Sequence, residues 1–212
     1  MKKLFYILTF IIYSNSFSQD CEYIKNEKDE FTGDIVKSTK YKSIYEDIDL
    51  DIYRKKYFEF KEPKKLKKKQ KKKFLKQKNE YFLEFVDKKL ESKIGVFKVS
   101  AINVNNNYFI KFYITRKDIF SISKGNELML KLKNEKIIKL KNSELKIASF
   151  KKSGKYTIWK EVFDFKVSSE EYKSLVNSPL KKVRIYLDKG YIEKDIIEKH
   201  KNNLIESLKC IE

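Results

Sequence analysis

Residues 96–115 read VFKVSAINVNNNYFIKFYIT. The stretches 96–104 and 108–115 are rich in β-branched and aromatic residues, and Asn105, Asn106 and Asn107 separate them. Asparagine tolerates left-handed backbone, so the stretch predicts two antiparallel strands joined by a tight turn. Downstream, 127–133 and 136–141 flank Asn134-Glu135 and predict a second hairpin, with Leu128, Leu130 and Leu132 on one face. Further strands are expected at 144–150, 155–167 and 183–187, with a turn at Lys189-Gly190. Upstream, a polar stretch follows Cys21, Thr32-Gly33-Asp34 reads as a turn, and 35–45 reads as a strand. Ser168 with Glu171 has the spacing of a capping box, so a short helix should run to about Val176 and stop before Pro179. Ile196, His200, Leu204 and Leu208 fall on one stripe of an expected final helix, 195–210. The fold class is therefore α+β: an antiparallel β-rich domain with a Lys-rich helix and a C-terminal helix.

The Lys-rich helix comes from the most unusual segment of the chain. Residues 54–78 hold fourteen Lys and Arg against Glu59 and Glu62, which is +12 of the total +19. From Phe74 the apolar positions Phe74, Leu75, Phe82, Phe85, Val86 and Leu90 can share a helix face, and Pro63 suits a helix start. The reading is a helix over 64–90 with a solvated first half and an anchored second half. Segment 54–90 is then a basic, partly helical insertion in one β-rich domain spanning 19–212.

The N-terminus reads as a secretory leader, 1–18. Lys2 and Lys3 precede an apolar run, 4–13, and Ser16 and Ser18 occupy the small positions before a cleavage point at Gln19. The apolar run is half the length of about 20 residues that a bilayer-spanning helix needs. A lipid-modified cysteine would follow a small residue, whereas Asp20 precedes Cys21, so lipid anchoring is not expected. The protein is read as exported, to the periplasm or the medium. Two cysteines, Cys21 and Cys210, stand at the two ends of the exported chain. In an oxidising compartment they are expected to pair, and closing so long a loop is worth about 5 kcal/mol in the chain-entropy model. The alternative is two unpaired thiols.

The two ends also carry a resemblance. A leader ending Ser-Phe-Ser-Gln, a cysteine before Asp-Glu-Phe-Thr-Gly-Asp (29–34), Ser-Ser-Glu-Glu-Tyr (168–172), Val-Arg-Ile-Tyr (183–186) and a helix ending Leu-Lys-Cys-Ile (208–211) resemble small exported proteins of unknown function from the Bacteroidota. The resemblance implies an antiparallel β-rich domain with a C-terminal helix, and it implies no activity. The Lys-rich stretch departs from that pattern.

Chemistry-bearing motifs are sparse. His200 is the only histidine, and its place on an apolar stripe reads as structural, so Ser-His or Cys-His nucleophilic chemistry lacks its base. One histidine and two remote cysteines make a poor zinc set, and no metal is expected. Asp47, Asp49 and Asp51 alternate with apolar residues, but the sixth and twelfth positions of a calcium loop would be Ile52 and Phe58. Glycine and glutamate are needed there, so the run reads as the solvated face of a strand. No phosphate-cradling glycine loop is present, and no cofactor is expected. Trp159 and the strand aromatics read as core.

These features favour a non-enzymatic periplasmic or secreted binding module. A first alternative is association with a polyanion or membrane surface through 54–78, chiefly Lys64, Lys65, Lys67, Lys68, Lys69, Lys71, Lys72 and Lys73. Anionic lipid, lipopolysaccharide and other polyanions are the candidate partners. Lysine supplies diffuse charge, so sequence-specific reading of nucleic acid is not expected. A second alternative is a hydrolase using two carboxylates.

Overall fold

The computed structural model describes residues 21–48, 53, 55 and 67–212. The leader 1–18 and the lysines Lys64 and Lys65 lie outside them. Strands β1 (Tyr23–Lys28), β2 (Ile35–Thr39) and β3 (Lys42–Glu46) precede helix α1 (Lys68–Glu91). Then come β4 (Val96–Val104), β5 (Asn107–Arg116), β6 (Ser121–Ile122), β7 (Glu127–Leu132), β8 (Ile137–Lys141), β9 (Lys146–Ile147), β10 (Ser149–Ser153) and β11 (Tyr156–Val167). Helix α2 (Ser169–Asn177), β12 (Leu180–Tyr186), β13 (Tyr191–Asp195), a 3-10 turn (Glu198–His200) and helix α3 (Asn203–Cys210) close the chain. The seven-stranded sheet runs β1-β2-β4-β5-β11-β10, with β3 also paired to β4. A four-stranded sheet runs β13-β12-β7-β8, and β6 pairs with β9. All these pairings are antiparallel.

The hairpin of residues 96–115 is the centre of the larger sheet. Asn105 and Asn106 both have left-handed backbone (φ 49 and 65) and Val104 pairs with Asn107, so the turn has two residues instead of the expected three. The Asn105 side chain also accepts from the Ile35 N–H at 2.9 Å, which ties β2 to this turn. In the second hairpin the left-handed residue is Glu135 (φ 66), and Asn134 accepts from the Lys136 N–H. The α2 capping box forms as expected: Ser168 Oγ accepts from the Glu171 N–H, and Glu171 accepts from the Ser168 N–H at 2.8 Å.

Several expectations are corrected. The expected strand 35–45 is two strands, both on β4. At the break, Thr39 Oγ1 accepts from the Ala101 N–H (3.0 Å) and Ser100 Oγ donates to the Thr39 carbonyl (2.7 Å), so side chains replace ladder bonds. The polar stretch after Cys21 is strand β1, because pairing with β2 overrides its weak apolar pattern. The expected strand 144–150 splits at buried Ala148 into β9 and β10. The final helix is shorter than predicted. Tyr191–Asp195 hairpins back onto β12 after Gly190 (φ 82), so Ile196 and His200 precede the helix and only Leu204 and Leu208 of the stripe are its buried face. Asp47 lies in a bend, and 49–52 fall outside the described residues. Its carboxylate pairs with Lys194 at 3.3 Å and packs on Gly95 (φ +69), where a Cβ would sit 1.4 Å from Oδ2.

The inner faces of both sheets join in one core. Phe97, Val99, Ile110, Phe112, Phe163 and Phe165 come from the larger sheet, and Leu128, Leu130, Leu140, Val183 and Ile185 from the smaller. Tyr172 and Leu175 of α2 and Leu204 and Leu208 of α3 complete it. Helix α1 contributes no buried residue. Phe82 and Leu83 of its second half are exposed, and its last turns meet the β10–β11 turn through Asp87–Lys155 (2.8 Å) and Leu90 against Gly154. It lies within 47–95, the long connection between the paired strands β3 and β4.

Cys21 and Cys210 form a disulfide with a Cα–Cα distance of 5.5 Å across 189 residues of sequence. Around it, side chains donate to carbonyls at the end of α3, where intrahelical donors run out. Tyr23 OH donates to the Cys210 carbonyl (2.7 Å), Asn103 Nδ2 to that of Ile211 (2.7 Å) and Tyr172 OH to that of Leu208 (3.1 Å). Replacing both cysteines by serine is expected to cost about 2–5 kcal/mol of unfolding free energy. Urea denaturation of the variant beside the disulfide-bonded protein measures this, and unchanged stability would show that the side-chain contacts alone hold the ends.

Candidate anion-binding cleft

Along β4, β5 and β11 the residues alternate between the core and the outer face of the larger sheet. Lys98, Tyr113, Thr115, Ile158 and Lys160 point outward, and the register sets Lys98 opposite Tyr113, Thr115 opposite Lys160, and Ile158 opposite Lys151 of β10. The residues after α1, Ser92 and Lys93, cover one side, and Glu46 of β3 another. Together they line a cleft of about 440 Å³, a size typical of ligand sites. Four lysines face one carboxylate there. Lys93 Nζ donates to Ser153 Oγ at 3.3 Å, and among the described residues Lys98, Lys151 and Lys160 make no ion pair. Thr115 is fixed at the floor, where its Oγ1 accepts from the Val96 N–H at 3.1 Å.

Aromatic and charged groups continue the same face. The rings of Tyr41 and Tyr113 lie 5.9 Å apart, and burial pushes both phenols above their ordinary range. Both therefore remain protonated donors at neutral pH. Lys146 is spent on Asp164 (3.0 Å), Glu144 (3.3 Å) and the Val162 carbonyl (3.0 Å), so its charge is matched there. The cleft itself offers ammonium groups and hydroxyl donors beside aromatic rings, with Glu46 as its lining carboxylate among the described residues.

The predicted site residues lie elsewhere. Lys67, Lys68, Lys69, Lys71, Lys72 and Lys73 are all exposed at the start of α1. The cleft adjoins the other end, and 24 residues of helix separate the two by about 35 Å. Gln70 accepts from the Lys67 N–H at 3.0 Å, but no acid stands in the first turn, so this lysine cluster opposes the helix dipole. Lys98, Lys151 and Lys160 were not singled out from sequence. With 49 Lys and Arg in the chain, their one mark is an outward position in a strand, and that needs the register.

Another groove of comparable size lies on the smaller sheet and is lined by its own ion pairs. Glu193 binds Lys182 (2.9 Å) and Arg184 Nε (2.6 Å), which together hold its carboxyl below the usual range. It is thus committed as an anion. Among the described residues no cluster of three metal-ligating side chains occurs, and no helix is long and apolar enough to cross a membrane. No family model, curated protein or solved structure matches this chain.

His200 is a half-buried structural residue. Its Nδ1 meets Asn203 Nδ2 at 3.2 Å, and its buried Nε2 has no partner among the described residues. Burial holds its pKa below the ordinary 6.5, against the pull of Glu46 and with the push of Lys199. The folded state thus binds the proton less tightly than the unfolded chain. The resulting stability is complete above pH 6.5 and is lost as pH falls below it. His200→Gln should flatten the stability profile across that window in urea titrations run at successive pH values. An equal slope in both proteins would assign the acid sensitivity to the carboxylates.

Proposed function

We propose that this chain is an exported, non-enzymatic binding module that holds a polyanion in the lysine-lined cleft. The observation that carries the reading is the set Lys98, Lys151 and Lys160, unpaired among the described residues around one cleft of a rigid sheet face. A polyanion that neutralises these ammonium groups releases its condensed counterions, and this supplies affinity without sequence reading. Export is supported by the leader pattern at 1–18 and by the disulfide, which belongs to oxidising compartments. The resemblance to exported Bacteroidota proteins fits the same compartment. A hydrolase with two carboxylates is less favoured, since among the described residues Glu46 is the only acid lining the cleft. The exposed lysines at the start of α1 are the alternative arm. Lying about 35 Å from the cleft, they can be tested separately.

Retention on immobilised heparin, lipopolysaccharide and anionic vesicles is the test, run across a salt series. Each lysine paired with the polymer should add about −0.7 to −0.9 to the slope of log affinity against log salt. The triple variant Lys98→Gln, Lys151→Gln, Lys160→Gln is expected to lose about 2 to 3 from that slope. Gln at Lys67, Lys68, Lys69, Lys71, Lys72 and Lys73 should change it less. Wild-type retention by the triple variant would refute the cleft, and loss confined to the helix variant would move binding to α1.

A further inference from the structure

A second pocket, of about 210 Å³, opens at the far end of the core between the β6–β9 ribbon, the end of β5 and the β12–β13 turn. Its walls are apolar: Ile119, Phe120, Ile147 and Leu187. Ile119 and Ile147 are 59% and 60% exposed, so their apolar surface faces water at the mouth. Two cations stand beside them, Arg116 and Lys189, and neither makes an ion pair among the described residues. The Arg116 guanidinium lies over the Phe120 ring at 6.0 Å. Such stacking leaves the N–H edge of the guanidinium free to bind a carboxylate.

The walls are held in place before any ligand arrives. Asp188 accepts from Ser121 Oγ (2.5 Å), the Ser123 N–H (2.9 Å) and Asn126 Nδ2 (3.0 Å). These bonds hold its carboxyl below the ordinary range and pin the β12–β13 turn to β6. Among the described residues Asp188 forms no ion pair with Lys189. The Ala148 N–H donates to the Phe120 carbonyl at 2.9 Å and fixes β9 on the opposite wall.

We infer that this pocket binds a small monoanionic amphiphile, a carboxylate with an apolar body of about six to eight carbons. The volume corresponds to about seven water molecules at roughly 30 Å³ each, which suits such a body. The apolar part covers Ile119 and Ile147, and the carboxylate lies between Arg116 and Lys189. The inference is independent of the polyanion reading, since the two sites share no residue.

Octanoate titrated into the disulfide-bonded protein tests it, followed by the methyl signals of Ile119 and Ile147 and by the fluorescence of Trp159. Trp159 is the only tryptophan and pairs in register with Arg116. A saturable response is expected, with octanol and acetate each at least about tenfold weaker because each lacks one half of the recognition. Arg116→Gln and Lys189→Gln should each weaken octanoate about tenfold, with methyl signals outside the pocket unchanged. The triple lysine variant of the cleft should bind octanoate as the wild type does. Octanol binding as tightly as octanoate, a response that never saturates, or a response to anionic vesicles alone would overturn the inference.

Discussion

Strand β1, next to Cys21, and the C-terminal helix are held at one place, and the rest of the described architecture depends on that closure. Helix α3 has only eight residues, too few to be stable alone. Its stability comes from Leu204 and Leu208 in the core, from the Cys21–Cys210 bond, and from Tyr23, Asn103 and Tyr172 donating to its terminal carbonyls. Each donor belongs to a different element: β1, β4 and α2. The helix end thus fastens an edge strand, the central strand and the second helix together. Tyr172 shows the cost of such burial, since desolvation, then Glu212 and Tyr108, push its phenol up to about 12. Unbonded, that hydroxyl would be a buried orphan donor, whereas the Leu208 carbonyl would keep its bond from the Ile211 N–H at 3.1 Å.

Asn103 connects this closure to the hairpin. It donates to the Ile211 carbonyl and accepts from the Asn106 N–H at 2.8 Å, inside the two-residue turn. Turn, central strand and C-terminus therefore share one buried side chain. The larger sheet is thereby tied to the C-terminal helix through its central strand. On a mobile surface, lysines disperse into solvent. On this one, the pleat sets Lys98, Lys160 and Lys151 beside Tyr113, Thr115 and Ile158 in fixed register. The lysines at the start of α1 are exposed on a helix and not set in a sheet register.

The charge distribution also separates in a way that total charge conceals. Most of the net +19 resides in 54–78, whereas the lysines of the cleft are Lys93 and those on strands of the larger sheet. On the smaller sheet, cations are equally close but are matched by Glu193, Asp195 and Glu135. The difference between the two faces is the presence of partners and not the number of lysines.

Local patterns made much of the fold legible. Paired asparagines flanked by β-branched residues announced the central hairpin, and Ser168 with Glu171 announced α2, because both motifs are completed by bonds within a few residues. The pairing of Cys21 with Cys210 was readable from number and position. Strand β1, the split at Thr39 and the shortened last helix were not, because each depends on a partner distant in sequence: β2, Ala101 and β12. The cleft belongs to the same class. Lys98, Lys151 and Lys160 look like any other lysine along the chain. They become a site when four strands align and the end of α1 covers them, since a binding surface is a property of groups brought together by long-range pairing.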